Sequence, residues 1–197
     1  MDSNIQIIEK PDWVSWDDIH NIIWKAHEKN REKGVFMRYP SLSGDEIMER
    51  IKGKGKMFVV VCEGKMVGTG AVVIKNESLW CGNGEYAYYC FASVLSEYQG
   101  KGIYRELCQR REQEVRSMGV SRILMDTNEN NQRELDVAKK NYYKAVGMKY
   151  YKDHYNVVMV KWPDGCPYSD FRCKYEFSKQ KLLIKAKSSL KQILGKK

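Results

Sequence analysis

The stretch Ala92-Ser93-Val94-Leu95-Ser96-Glu97-Tyr98-Gln99-Gly100-Lys101-Gly102-Ile103 decides how the rest of the chain reads. Upstream of it, Tyr86 to Leu95 is β-prone, with Tyr86, Tyr88, Tyr89, Phe91 and Val94. Downstream, Leu107, Cys108, Arg111, Val115 and Met118 recur at helical intervals until Gly119 stops the pattern. A strand therefore runs through a glycine loop into a helix. Such a turn brings successive backbone N–H groups to the positive end of a helix dipole, where anions bind. Glycine suits it because a Cβ would hold a diphosphate off the backbone and because Gly tolerates the dihedrals of a tight strand-to-helix turn. Alone, Gln-Gly-Lys-Gly also fits an ordinary structural turn.

The flanks supply the context. Ser15 to Lys33 places Ile19, Ile22, Ile23 and Ala26 at helical spacing behind Asp17-Asp18 and predicts a first helix. Ser43-Gly44-Asp45-Glu46 matches a capping box ahead of Ile47, Met48 and Ile51, a second helix ended by Gly53 and Gly55. Met57 to Cys62 and Met66 to Ile74 are strand-like runs around Glu63-Gly64-Lys65, a hairpin, and 76–84 reads as a loop. After the central helix come a short strand at 121–126, a polar loop at 127–133, a helix from Glu134 to Val146 closed by Gly147, and two last strands within 148–162 around a turn near Asp153. The order is α/β, with strands flanking one β-loop-α unit. Residues 168–177 follow no assignable pattern. Beyond them, Leu182, Leu183, Ala186, Leu190, Ile193 and Leu194 fall on one helical face with lysines on the rest, a basic amphipathic helix over 178–194.

Composition bounds the function. With 197 residues, 43% hydrophobic, the chain can bury one sizeable core, expected as a domain over 1–162 with an extension at 163–197. The formal charge of +9 is concentrated at one end. Residues 178–197 hold seven lysines and no acid, which leaves 27 basic against 25 acidic residues elsewhere and argues against a nucleic-acid partner. The six cysteines include no CxxC pair and have no nearby His, so no metal is expected and reduced thiols are the default. No apolar run reaches the roughly 20 residues that span a bilayer, and the start Met1-Asp2-Ser3-Asn4 has neither a basic patch nor an apolar run, so a cytoplasmic location is expected.

In its surroundings, Gln99-Gly100-Lys101-Gly102 resembles the coenzyme-A-binding segment of the GNAT acetyltransferases, Q/R-x-x-G-x-G/A at the start of a helix. Gln99 and Gly102 match, whereas Tyr104 stands where the family usually has Gly or Ala. Asn141-Tyr142-Tyr143-Lys144-Ala145-Val146-Gly147-Met148 is similar to the family's late helix, which presents a tyrosine near the coenzyme sulfur. The resemblance spans about 57–162 in motif order and implies the GNAT acyl-CoA N-acyltransferase fold, a mixed central sheet flanked by helices, to which this chain adds the basic C-terminal amphipathic helix. It also implies acetyl-CoA as acyl donor and direct attack by an amine on the thioester.

On this resemblance the coenzyme would contact Val94, Leu95, Gln99, Gly100, Lys101, Gly102, Ile103 and Tyr104, with backbone amides around Val94 and Leu95 polarising the carbonyl. At the usual distance of the family's asparagine from the tyrosine this chain has Asp136, while Asn128, Asn130 and Asn131 sit earlier in a lengthened loop, and Asn131 is the candidate for that role. Tyr143 is the expected general acid, and Tyr142 the alternative one residue away. Glu85 is the candidate base, with His154 or a water relay as alternatives; His20 and His27 lie on the first helix, where an ordinary polar face also accounts for them.

The expected acceptor is a primary amine of a small molecule or amino sugar, with Trp13, Trp16, Trp24 and Phe36 in the early region where the family builds its acceptor wall. The rival readings are a protein acetyltransferase acting on lysine or an N-terminus, and a non-catalytic acyl-CoA-binding scaffold. The lysine-rich end suits peripheral contact with an anionic membrane at its inner face, or alternatively packing on the body, and strand exchange makes a homodimer a further expectation.

Overall fold

The structure is a computed structural model that describes residues 5–35, 39–151 and 154–194, with side chains through residue 190. Phe36 and the turn at Asp153 lie outside the described residues. The chain forms two compact units, Met1–Asn76 with Glu85–Ser121, and Glu77–Gly84 with Arg122–Lys197.

The first unit contains β1 (Ile5–Glu9), α1 (Trp16–Ala26), α2 (Glu28–Glu32), α3 (Gly44–Ile51), β2 (Gly55–Cys62), β3 (Lys65–Asn76), β4 (Glu85–Val94) and α4 (Ile103–Ser117). Its strands pair antiparallel in the order β1-β2-β3-β4. Both early helices start at capping boxes. Ser15 Oγ accepts from the Asp18 amide at 3.0 Å, and Ser43 Oγ from the Glu46 amide at 3.2 Å, while each acid's side chain bonds back to the cap amide. Ile19 and Ile23 of α1 and Ile47 of α3 are wholly buried against Met57, Val59 and Ala71, each isoleucine worth about 1.5–3 kcal/mol of burial.

The helix predicted over Ser15 to Lys33 breaks at His27, whose backbone has φ −101° and ψ 10°. None of the five residues of α2 is buried, so no packing holds that segment in line with α1. On the sheet's other face, α4 rests its Leu107 on Gly70 of β3. A Cβ at Gly70 would stand 2.9 Å from Leu107 Cδ2, so the absence of a side chain sets how closely α4 approaches.

The second unit contains β5 (Ile123–Asn128), α5 (Gln132–Lys140), β6 (Lys144–Tyr151), β7 (His154–Lys161) and α6 (Asp170–Leu194), with antiparallel order β5-β7-β6. The helix predicted from Glu134 to Val146 instead starts at Gln132 and ends at Lys140. Asn141 Nδ2 donates to the Val137 carbonyl at 2.8 Å, Tyr142 turns left-handed at φ 67°, and Val146 and Met148 are buried with strand alternation. Gly147 is therefore no helix stop. It lies within β6 at a register irregularity opposite β7.

The segment 77–84, expected as a loop, is held by its polar groups. Arg122 donates to the carbonyls of Asn83 and Gly84 at 2.6 and 3.2 Å, and Trp80 Nε1 donates to the Val146 carbonyl at 2.7 Å. Residues 170–177 of the unassigned stretch belong to the last helix, which begins at Asp170 and packs on β6. The face that packs is not the apolar face read from the sequence. Cys173 and Ser188 are buried and Ile184 is partly so, whereas Leu182, Leu183 and Leu190 face solvent.

Candidate functional site

The register of β3 against β4 shifts between Thr69–Ser93 and Ala71–Cys90, so Phe91 and Ala92 together oppose the single residue Gly70. This is a β-bulge. Phe91 takes φ 55°, a left-handed value unusual for a bulky residue, and its carbonyl accepts from the buried Thr69 hydroxyl at 2.7 Å. One extra residue inverts the facing of everything beyond it. Cys90 and Phe91 belong to the core beneath α1, and after the bulge Ser93 also turns to that side, where its Oγ lies 3.1 Å from His27 Nε2.

Ser93 is buried and His27 partly so. Asn30 Nδ2 donates to His27 Nδ1 at 3.2 Å, which puts the imidazole proton on Nε2 and makes His27 the donor to Ser93. Ser93 thus keeps its own hydroxyl proton to give. Burial, with Arg31 as a lesser cause, lowers the His27 pKa to about 4, so the ring is neutral at pH 7. Above the same face, Tyr39 packs 4.7 Å from Phe91, and its hydroxyl meets that of Tyr88 at 2.9 Å.

Beyond the bulge, the Leu95 amide donates to the Val67 carbonyl at 2.9 Å. Because backbone groups alternate along a strand, the Val94 amide points away from β3. Of the two amides expected to polarise a carbonyl, Leu95's is spent within the sheet and Val94's is not directed into that ladder. Gln99 Nε2 donates to the Val94 carbonyl at 2.8 Å, so this side chain braces the loop against the strand end.

Gly100 and Gly102 have φ 81° and 84°, and a Cβ at either would meet nothing within 4 Å. The space over the loop is open. No side chain caps α4, and among the described residues the amides of Gly100, Lys101, Gly102 and Ile103 donate to no protein acceptor. Four successive donors without a protein acceptor at a helix start, beside open space, fit a diphosphate. Tyr104 is in the first turn of α4 and partly buried, so its side chain leaves that space clear. Lys101 Nζ lies 5.1 Å from the Tyr98 ring.

The other expected residues are divided between the two units. Glu85 is exposed at the opposite end of β4, roughly 25–30 Å of strand from Val94. In the second unit, Asn131 accepts from the Glu134 amide with its side chain as the N-cap of α5. Tyr143 is buried at 5% exposure in the turn before β6, whereas Tyr142 is 80% exposed. His154 begins β7 and stacks on Tyr151 at 5.6 Å. No group of acids, His and Cys that could hold a metal occurs among the described residues. Reading the sequence for function passed over Ser93, because its facing depends on a bulge that strand alternation does not announce.

The family model for the Acetyltransferase (GNAT) family matches residues 16–143, and the chain belongs to that family. No curated protein sequence matches it. Among solved structures, a GNAT acetyltransferase from Streptococcus agalactiae superposes with TM-score 0.67 at 17% identity, over 82% of this chain and 96% of that one. The ribosomal-protein-S18-alanine N-acetyltransferase of Escherichia coli gives 0.58 at 16%, over 79% and 92%. A GNAT acetyltransferase from Elizabethkingia anophelis, solved with acetyl-CoA bound, gives 0.58 at 9%, over 81% and 98%. At these identities the likeness carries the fold, a mixed sheet flanked by helices.

Proposed function

We propose that this chain transfers an acetyl group from acetyl-CoA to the primary amine of a small molecule or amino sugar. The observation that carries the reading is the loop Gln99–Gly102, with two left-handed glycines, open space above them and unpaired amides at the uncapped start of α4, placed directly after a bulged strand. Acetyl-CoA supplies a thioester whose carbonyl carbon is open to a neutral amine. The amides of Gly100 to Ile103 hold the pyrophosphate, and the Val94 amide donates to the carbonyl oxygen as charge develops there. As the C–N bond forms and the C–S bond breaks, the departing sulfur takes a proton, the part that the family resemblance gives to the Tyr143 hydroxyl.

His27 and Ser93 belong to the acceptor side of this reading. A neutral imidazole does not repel an arriving ammonium, and the Ser93 hydroxyl can orient a polar acceptor. Glu85 is too far along β4 to take the amine's proton directly, which favours a water relay. Tyr39, Tyr88 and Phe91 on the same face favour a compact acceptor with a ring or aliphatic body. A protein amine is the competing acceptor class.

Calorimetric titration with acetyl-CoA and CoA tests the donor half. Micromolar binding is expected in the wild type, and its loss in Gly102→Glu with the fold intact by circular dichroism. Binding indifferent to that substitution would reduce the loop to a structural turn. Turnover of amino sugars but not of peptides would support the small-molecule acceptor, and the reverse would overturn it.

A further inference from the structure

The helix α6 carries apolar residues on two opposed faces, and only one is covered by the protein. Cys173, Phe177 and Ile184, with Ser188, turn toward the body, and the Tyr155 hydroxyl meets Ser188 Oγ. At about 100° per residue, Phe171, Tyr175 and Leu182 stand on the opposite side, with Leu183 and Leu190 at its margin. These five are 80, 57, 73, 48 and 57% exposed. Scattered exposed leucines need no explanation, but an apolar stripe along some 20 residues of one helix does.

The charge around the stripe says what covers it. Residues 170–194 hold seven basic and two acidic residues. Both acids are paired within the protein, Asp170 with Lys144 at 2.7 Å and Glu176 with Lys179 at 3.7 Å. Lys174, Lys181 and Lys187 lie to either side of the stripe, and Arg172 and Lys179 have stems long enough to rise from within it. A second copy would set one basic helix against another. Among the described residues no helix is long and apolar enough to cross a membrane, and an apolar stripe flanked by lysines is suited to lie along an interface.

We propose that α6 docks the protein on an anionic lipid surface, with Phe171, Tyr175, Leu182 and Leu190 in the headgroup boundary and the flanking lysines on lipid phosphates. The opposite face of the helix stays on β6, so docking needs no unfolding. The inference is independent of the donor loop and stands whether or not the chain binds acetyl-CoA.

The test is flotation of the full chain with vesicles of phosphatidylglycerol and phosphatidylcholine, against vesicles of phosphatidylcholine alone. Binding to the anionic vesicles is expected to be at least about tenfold tighter and to weaken as salt is raised. Leu182→Asp/Leu190→Asp alters two exposed side chains, so it should leave the melting temperature unchanged and abolish flotation. A second variant, Lys181→Gln/Lys187→Gln, should lower affinity for anionic vesicles without changing the neutral-vesicle baseline. Failure of the wild type to float overturns the proposal. So does flotation unaffected by the leucine variant, or a wild-type oligomer that dissociates in that variant while neither protein binds vesicles, which would make the stripe a contact between copies or with another protein.

Discussion

Lowering the pH from 7 to 5 should destabilise this protein through His27 before any carboxylate contributes. Its pKa falls from 6.5 in the unfolded chain to about 4 in the folded one. Because the folded pKa is the lower, the unfolded state binds the proton first, so His27's contribution is intact above pH 6.5 and is lost as pH falls toward 4. Integrating the proton-binding difference from pH 7 to 5 gives about 2 kcal/mol, against about 3.4 kcal/mol for the full shift at 1.36 kcal/mol per unit. For a chain of this length that is a fall in Tm of about 4–8 °C. Glu114 and Asp18, whose pKa values are lowered by Lys56 and by Ser15, lose their contributions only below their ordinary values of 4.5 and 3.8. The assay is thermal melting by circular dichroism in half-unit steps, for wild type and His27→Gln. Gln titrates nowhere and can keep the hydrogen bond to Ser93, so its melting temperature should be nearly flat from pH 7 to 5. Parallel declines in both proteins would refute the placement of His27 as a buried neutral ring.

Gly70→Ala puts a Cβ against Leu107 and should cost about 1–2 kcal/mol; in a double-mutant cycle with Leu107→Ala by urea unfolding, the pair should cost less than the sum, and additivity would place the contact elsewhere. Lys56 bridges Glu114 at 2.8 Å and Glu9 at 3.3 Å. Lys56→Met should therefore raise the Glu114 pKa toward its ordinary value of 4.5, lower stability above that pH, and make the fall below it shallower than in the wild type, read by urea unfolding between pH 5 and 3. Tyr143→Phe should lower kcat by about a hundredfold with little change in acetyl-CoA affinity, whereas Tyr142→Phe should change neither; equal losses would remove the general-acid role from Tyr143.

Much of the fold was legible because it rests on local chemistry. The two capping boxes, the hairpin around Glu63-Gly64 and the strand-loop-helix unit at 92–103 each depend on residues within a few positions of one another. The misread elements depend on distant ones. The helix expected through Val146 stops at Lys140 because Ala145, Gly147 and Met148 pair with β7, and no helical periodicity inside 134–146 encodes that partner. The leucines of the last helix read as its one apolar face, yet the helix buries Cys173 and Ser188, because its hydrophobic positions fit two faces and only the surface of β6 selects between them.

The candidate site divides in the same way. Glycine at 100 and 102 is a covalent fact, and its freedom at positive φ makes a tight strand-to-helix turn readable from the string alone. The partners of that turn are products of tertiary structure. The bulge at Phe91 and Ala92 exists because β3 and β4 pair with unequal spacing over Gly70, and that one extra residue turns Ser93 toward His27. The same pairing commits the Leu95 amide to Val67 and leaves Val94's outside the ladder. By itself, the sequence determined the strand, the glycine loop and the helix that follows it, since that unit is contiguous in the chain. The structure alone decided which backbone amide and which polar side chains stand beside it, since facing and hydrogen-bond availability belong to paired strands rather than to any single stretch of residues.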